Sequence, residues 1–164
     1  MTDSKDKGDR GEYAVRDIME AWWGSDFAKT PKSGGFSTKK FRKDWNAEAD
    51  IVTPDDTFPF AVEVKWQEKW ILDDLLTRPK TKIWDWWEQA KGQSEDKITL
   101  LIFKKNFKPW FCMMRIDDLN YEQTQFVTSA PMRAIDRQGE HVYIRLLDDL
   151  LKEPKEKWQK KPKK

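Results

Sequence analysis

The most constraining feature of the sequence is an acid-bearing stretch between residues 49 and 65. Its first arm is Ala49-Asp50-Ile51-Val52, its second runs from Phe58 to Lys65, and a Pro-Asp-Asp turn lies between them. β-Branched and apolar arms around such a turn predict a β-hairpin. Because side chains alternate across a strand, Glu63 and Lys65 share one face. The opposite face is expected to point into the core and carries Phe60, Val62 and Val64.

This hairpin would hold Asp50 and Glu63 on neighbouring strands, with Lys65 beside them. Carboxylate oxygens are the ligands that Mg²⁺ prefers, and a bound divalent cation can generate a nucleophile from water. Lys65 is not a ligand, but it can orient that water or neutralise charge on a phosphate. The chain holds 29 acidic residues and 31 lysines and arginines. Taken alone, these three residues are therefore also compatible with a solvated strand face.

Two predicted helices supply further polar candidates. Apolar spacing from Asp9 to Trp22 predicts a helix that carries Glu12 at the edge of its buried stripe. Glu12 is a candidate third carboxylate, although an acid in a first helical turn also suits the helix dipole. A second helix is predicted from about Lys82 to Gln93. Because a helix that follows a strand packs back over the sheet, Gln89 can face Glu63 and Lys65.

The segment that leads into Asp50 is the most basic and aromatic part of the chain interior. It begins with the glycines 34 and 35 and interleaves three aromatic residues with four cations, Lys39, Lys40, Arg42 and Lys43. This composition suits phosphate contacts combined with stacking on exposed bases. The alternative is a surface excursion whose aromatic rings cover the core.

Composition limits the class of protein. At 164 residues, with 38% hydrophobic and 37% charged residues, the chain is expected to form one domain with a real core. The single cysteine, Cys112, excludes an internal disulfide and is expected to be a buried structural thiol in a reducing cytoplasm. No apolar run approaches 18 residues and the N-terminus is charged. We therefore expect neither a signal peptide nor a membrane span.

The net charge of +2 is unevenly distributed. Residues 152–164 hold seven lysines against two glutamates. They are predicted to form a basic, disordered tail, which either aids solubility or binds phosphates without specificity.

The order of predicted elements indicates a mixed α/β fold around one sheet. Residues 97–104 form a near-continuous apolar run typical of a central strand, and residues 110–116 form the next strand. The chain has no glycine-rich phosphate loop, zinc-knuckle spacing or Gly-x-Ser-x-Gly elbow. We therefore expect no nucleotide cofactor and no zinc or serine-hydrolase chemistry.

The spacing Asp-(x)12-Glu-x-Lys of Asp50, Glu63 and Lys65 resembles the core pattern of the PD-(D/E)xK nuclease superfamily. Within that superfamily, residues 7–65 are similar to the archaeal Hjc-type Holliday junction resolvases. The similar elements, in chain order, are Lys7-Gly8 before helical Glu12, Ser33-Gly34 after a short strand, Ala49-Asp50-Ile51-Val52 and Val62-Glu63-Val64-Lys65. Trp110-Phe111, at the start of a late strand, is also similar.

The resemblance implies a restriction-endonuclease-like α/β fold, a mixed central β-sheet flanked by helices, over a single domain of residues 1–151. It implies metal ligation by Asp50, Glu63 and Glu12, with Mg²⁺ as the cofactor and Mn²⁺ as a substitute. The implied catalytic residues are Glu12, Ser33, Asp50, Glu63 and Lys65. Gln89 joins them as similar to a helix glutamine common across the superfamily, although it is not a firm part of the resolvase pattern. The partners implied are a branched, four-way DNA junction and a second copy of the chain, because two symmetric nicks require two active sites.

The sequence also departs from the resolvase pattern. Tyr13 stands where the family usually has a basic residue, so that phosphate contact would fall to Arg10 or Arg16. The segment between Ser33 and Asp50 is longer than in the archaeal enzymes, which suits a phage-like elaboration that enters the junction. The predicted DNA-binding residues are Arg10, Arg16, Lys32, Lys39, Lys40, Arg42 and Lys43.

Two alternatives stay open at this stage. One is another nuclease with the same core that acts on duplex, flap or mismatched DNA. The other is a DNA-binding accessory protein without catalysis, in which replacement of Glu63 by alanine would leave function unchanged.

Overall fold

The computed structural model describes residues 3–30 and 49–160. Its helices are α1 (Asp3–Trp23), α2 (Asp74–Thr77), α3 (Lys82–Gly92), α4 (Tyr121–Thr128) and α5 (Leu147–Leu151), with two 3-10 turns at Ile116–Asp118 and Lys155–Lys157. Its strands are β1 (Ala28–Lys29), β2 (Ile51–Val52), β3 (Phe60–Trp66), β4 (Ile98–Lys104), β5 (Phe111–Arg115), β6 (Met132–Ile135) and β7 (His141–Leu146).

Five strands form the central sheet in the order β3-β4-β5-β7-β6. β3 and β4 run parallel and are connected through α3, whereas the remaining neighbours pair antiparallel. β1 and β2 form a separate two-stranded antiparallel sheet. The predicted mixed sheet flanked by helices is confirmed, and β3, which carries Glu63 and Lys65, lies at its edge.

Helices cover both faces of the sheet because its side chains alternate between them. On one face, α1 places Val15, Met19 and Trp23 at helical spacing against the β3 residues Phe60, Val62 and Val64, as the alternation predicted. On the other face, α3 packs Ile83, Trp84 and Trp87 against Leu101 and Phe103 of β4. Glu63 and Lys65 therefore point towards the α3 side of the sheet.

The predicted hairpin between residues 49 and 65 is wrong. β2 pairs with β1, and only Ala49 bridges to β3, in parallel with Val62. The Pro-Asp-Asp segment does not close a hairpin because Asp55 instead binds the end of α1. Asp55 Oδ2 accepts hydrogen bonds from Trp23 Nε1 at 2.9 Å and from Ser25 Oγ at 2.7 Å.

The predicted disordered tail is also wrong for residues 152–160. Trp158 is buried in the α1 side of the core, where its ring packs against Phe60 and Phe126. Lys155 Nζ donates to the Trp23 carbonyl at 2.6 Å, and the Lys160 amide donates to the Thr57 carbonyl at 3.0 Å. Lysine content suggested solvation, but one tryptophan and these contacts anchor the segment.

Two smaller findings concern α1 and the membrane prediction. α1 begins at Asp3, ahead of the start that apolar spacing predicted at Asp9, so residues 3–8 are also helical. No helix in the described ranges is both long enough and apolar enough to span a membrane.

Candidate active site

Asp50 is fixed against the free edge of β3 by main-chain contacts. Its amide donates to the Val62 carbonyl at 2.9 Å, and its carboxylate Oδ2 accepts the Val64 amide at 2.9 Å. The preceding Ala49 has a φ of 73°, a left-handed conformation that is unusual for alanine. This bend brings Asp50 beside β3, the strand that carries Glu63, although β2 and β3 do not form the predicted hairpin.

Glu63 is buried in the site, with 1% of its surface exposed. Its Oε1 accepts a hydrogen bond from Gln89 Nε2 at 2.8 Å and lies 2.7 Å from Lys65 Nζ. Lys65 Nζ also donates to Gln89 Oε1 at 3.2 Å, which closes a three-residue ring. Glu63 Oε2 is buried and has no hydrogen-bond partner. The protein thus positions Oε1 through Gln89 and Lys65, whereas Oε2 can still accept a hydrogen bond or ligate a cation.

The electrostatics of Asp50 follow from this crowding. Burial, followed by the charge of Glu63, raises the pKa of Asp50 from 3.8 to about 7, with a smaller contribution from Glu12. The Val64 amide and the charge of Lys65 oppose the shift. Two carboxylates that disfavour each other's charge in a partly dry site are stabilised by a cation between them.

Glu12 approaches this pair from α1 and is 1% exposed. Its Oε2 lies 3.3 Å from Lys29 Nζ on β1. In the ranges that the structure describes, no three His, Cys, Asp or Glu side chains are grouped so that they could hold a metal ion together. Metal ligation by Glu12 therefore stays a prediction, and in this structure its Oε2 contacts a lysine.

Lys29 also lies beside the site, although no sequence pattern predicts it there. Its Nζ contacts Asp9 Oδ1 at 2.8 Å as well as Glu12. Burial lowers the pKa of Lys29, but hydrogen bonds and charge from Asp9 and Glu12 outweigh this and raise it. Lys29 is a single lysine on a two-residue strand and belongs to no sequence motif. Its position near Asp50 follows only from the pairing of β1 with β2.

A groove of about 650 Å³ opens beside the site between the start of α1 and the end of β3. Glu12 and Lys65 line it, together with four further lysines: Lys5, Lys7, Lys69 and Lys82. Of the predicted DNA-binding residues, Arg10 is exposed and its guanidinium lies 5.8 Å from the Trp66 ring centre. Arg16 is bound to Asp17 at 2.6 Å and lies over the Tyr13 ring. Arg10 is thus the freer of the two cations for the phosphate contact that Tyr13 cannot make.

Ser33 and the predicted DNA-binding residues of the basic segment lie outside the described residues. These are Lys32, Lys39, Lys40, Arg42 and Lys43. The structure brings together Asp50, Glu63, Lys65 and Gln89, with Glu12 nearby.

Cys112, by contrast, is remote from this chemistry. It is buried in the core, and burial raises the pKa of its thiol to about 12, as expected of a structural cysteine.

Comparison with known proteins agrees with this geometry. Residues 3–161 match the model of a family described as "Phage putative PDDEXK endonuclease". The chain is also 31% identical over 122 residues to Protein D14 of Escherichia phage T5, an alignment that covers 71% of this chain and 73% of that protein. No solved structure matches the chain significantly. The chain therefore belongs to this family of phage endonucleases and is a nuclease of the PD-(D/E)xK superfamily.

Proposed function

We propose that this nuclease is a structure-selective endonuclease that resolves four-way (Holliday) DNA junctions by metal-dependent hydrolysis of phosphodiesters. The observation that carries the hydrolytic part is the pairing of Asp50 and Glu63 at the edge of β3, with Lys65 held beside them. Selectivity for the junction rests on the order of motifs in residues 7–65, which resembles that of the junction resolvases. A phage-encoded nuclease of this kind would act on DNA in the cytoplasm of its host.

The residues present fit a divalent cation. Glu63 Oε2 is a buried acceptor without a hydrogen-bond partner, and burial together with the charge of Glu63 raises the pKa of Asp50, which a cation beside it would counteract. An all-oxygen donor set suits Mg²⁺, with Mn²⁺ as a substitute. Asp50 and Glu63 would hold the ion, and Glu12 would act on it through water. When bound, the cation lowers the pKa of a water molecule and neutralises charge on the scissile phosphate.

The protein residues supply position and charge. Gln89 holds Glu63 through its amide nitrogen and Lys65 through its amide oxygen, which fixes the lysine relative to the carboxylate. Lys65 can then orient the attacking water or stabilise the charge that develops on the phosphate. Lys7 of the adjacent groove is ion-paired with Glu68, and the other three lysines there can hold the flanking backbone. This contribution should weaken as salt rises.

The proposal includes a homodimer. One chain has one Asp50–Glu63 site, and resolution of a four-way junction requires two symmetric nicks. Two sites related by a two-fold axis would match the symmetry of the junction.

The test is cleavage of a labelled four-way junction, with matched duplex and flap DNA alongside, in Mg²⁺ or EDTA. We expect paired symmetric nicks on the junction alone, lost in EDTA and in Glu63→Gln. Because Glu63→Gln keeps the shape of the side chain, it should still bind the junction. The exposed acid Glu122 on α4 offers a matched control, and Glu122→Gln should cut normally.

Three other results of this cleavage assay would each contradict a part of the proposal. Equal cutting of duplex or flap would replace junction resolution with a more general nuclease activity. Cleavage by Glu63→Gln at the wild-type rate would contradict the assigned site. Binding of DNA without cleavage under any metal condition would favour an accessory role.

A further inference from the structure

The turn between β4 and β5 has a conformation that its sequence does not favour. The Lys108 amide donates to the Lys105 carbonyl at 3.2 Å, which closes a four-residue turn. Its third residue, Phe107, has a φ of 60° and is fully exposed, at 101%. Glycine or asparagine is the usual residue at a turn position with positive φ. Phe107 thus adopts a strained backbone and holds its ring in water, which contributes no packing to this fold.

The turn is bound to the strand that carries the active site. Trp66, which directly follows Lys65, donates from Nε1 to Asn106 Oδ1 at 3.0 Å. The Asn106 amide donates to Glu68 Oε1 at 2.9 Å, and the Gln67 amide donates to the Lys104 carbonyl at 3.1 Å. Three hydrogen bonds therefore set the position of Phe107 relative to the end of β3.

Aromatic rings and cations surround the base of the turn. Trp66 and Trp110 pack edge to face with their centres 6.0 Å apart. Lys104 Nζ lies 4.7 Å from the first ring and 5.1 Å from the second. Lys7 and Arg10 of α1 also lie within 6 Å of the Trp66 ring. Trp66 and Trp110 are half-buried, so the exposed ring is that of Phe107. The cations near it are complementary to a nucleic-acid backbone with an accessible base.

We propose that this turn is a DNA wedge: Phe107 stacks on a base pair or base exposed at the branch point, while Lys104 and Lys108 contact the flanking phosphates. The inference deepens the proposed function and rests on it, since a wedge next to Lys65 explains how the enzyme would distinguish a branch from a continuous duplex. In continuous duplex, stacked neighbours cover both faces of every internal pair. At a branch, a terminal pair exposes one face to an inserted ring.

The test uses a protein that cannot cut. In a Glu63→Gln background with EDTA, the affinity for a labelled four-way junction, a flap and a matched duplex is measured by fluorescence anisotropy. Phe107→Ala should weaken binding to the junction and the flap by roughly 5- to 150-fold, the range for loss of one stacked base. Binding to the duplex should be unchanged, and Phe107→Trp should restore the affinity for branched DNA. Tyr121, an aromatic residue that is 82% exposed on α4, provides the control variant Tyr121→Ala, which should have no effect.

The outcomes separate the wedge from the proposed function. Loss of affinity in Phe107→Ala for the flap but not the junction would support the wedge and contradict junction selectivity. Equal affinities of Phe107→Ala and its parent for both branched substrates would overturn the wedge, whatever the enzyme cuts. An equal loss on branched and duplex DNA would overturn it too, because Phe107 would then be a general contact.

Discussion

Replacement of Asp50 by asparagine should stabilise the protein, and the gain should grow with pH. Asp50 has its pKa raised from 3.8 to about 7, chiefly by burial and by Glu63. A group with a raised folded-state pKa contributes stability in full below its unfolded pKa, and this contribution is lost as pH rises to the folded pKa. At 1.36 kcal/mol for each unit, ionised Asp50 costs the fold about 4 kcal/mol above pH 7.

Asparagine cannot ionise and still has an oxygen that can accept the Val64 amide. Asp50→Asn and wild type should therefore unfold alike near pH 4 and differ by about 4 kcal/mol near pH 8. In thermal melts without divalent cations, that difference corresponds to a rise in Tm of roughly 10 °C. Asp56→Asn, at an exposed acid in the same segment, should show no such dependence. A difference between Asp50→Asn and wild type that is the same at both pH values would refute the reasoning.

Substitutions to or from glycine in α1 and in the wedge turn should change the free energy of unfolding. Gly8→Ala should raise the free energy of unfolding by about 1 kcal/mol through helix propensity, since a Cβ there meets nothing within 4 Å. Gly11→Ala should gain less, because its Cβ would lie 3.3 Å from Trp66 Cβ and 3.5 Å from Trp110; equal gains in urea unfolding would contradict this packing. Phe107→Gly should raise the free energy of unfolding by about 1 kcal/mol, because it relieves the positive φ and removes a ring that packs on nothing. Destabilisation in the same assay would show that the ring supports the fold.

Much of the sheet and of the site was accessible from the sequence. Alternation along residues 60–66 placed Glu63 and Lys65 on one face and the apolar residues on the other, because a strand has a strict period of two. The prediction that Gln89 faces Glu63 is confirmed, because the helix that connects two parallel strands packs against the face of the sheet. These features depend on local periodicity and on one general rule of connection.

What the sequence could not predict depends on contacts between distant residues. The Pro-Asp-Asp segment has the composition of a hairpin turn, yet Asp55 binds Trp23 and Ser25 instead. Residues 152–160 have the charge of a solvated tail, yet the ring of Trp158 packs against that of Phe60 in the core. In both segments a single side chain with a remote partner outweighs the local composition.

The central claim is that Asp50 and Glu63 form the metal centre of this nuclease, and direct binding of Mn²⁺ tests it without any DNA. Titration of free Mn²⁺ by electron paramagnetic resonance would count bound ions in wild type, Asp50→Asn, Glu63→Gln and the surface control Glu122→Gln. We predict that wild type and Glu122→Gln bind Mn²⁺ alike and that both site variants lose the ion or bind it at least tenfold more weakly. Binding by Glu63→Gln and Asp50→Asn with wild-type affinity would contradict the account.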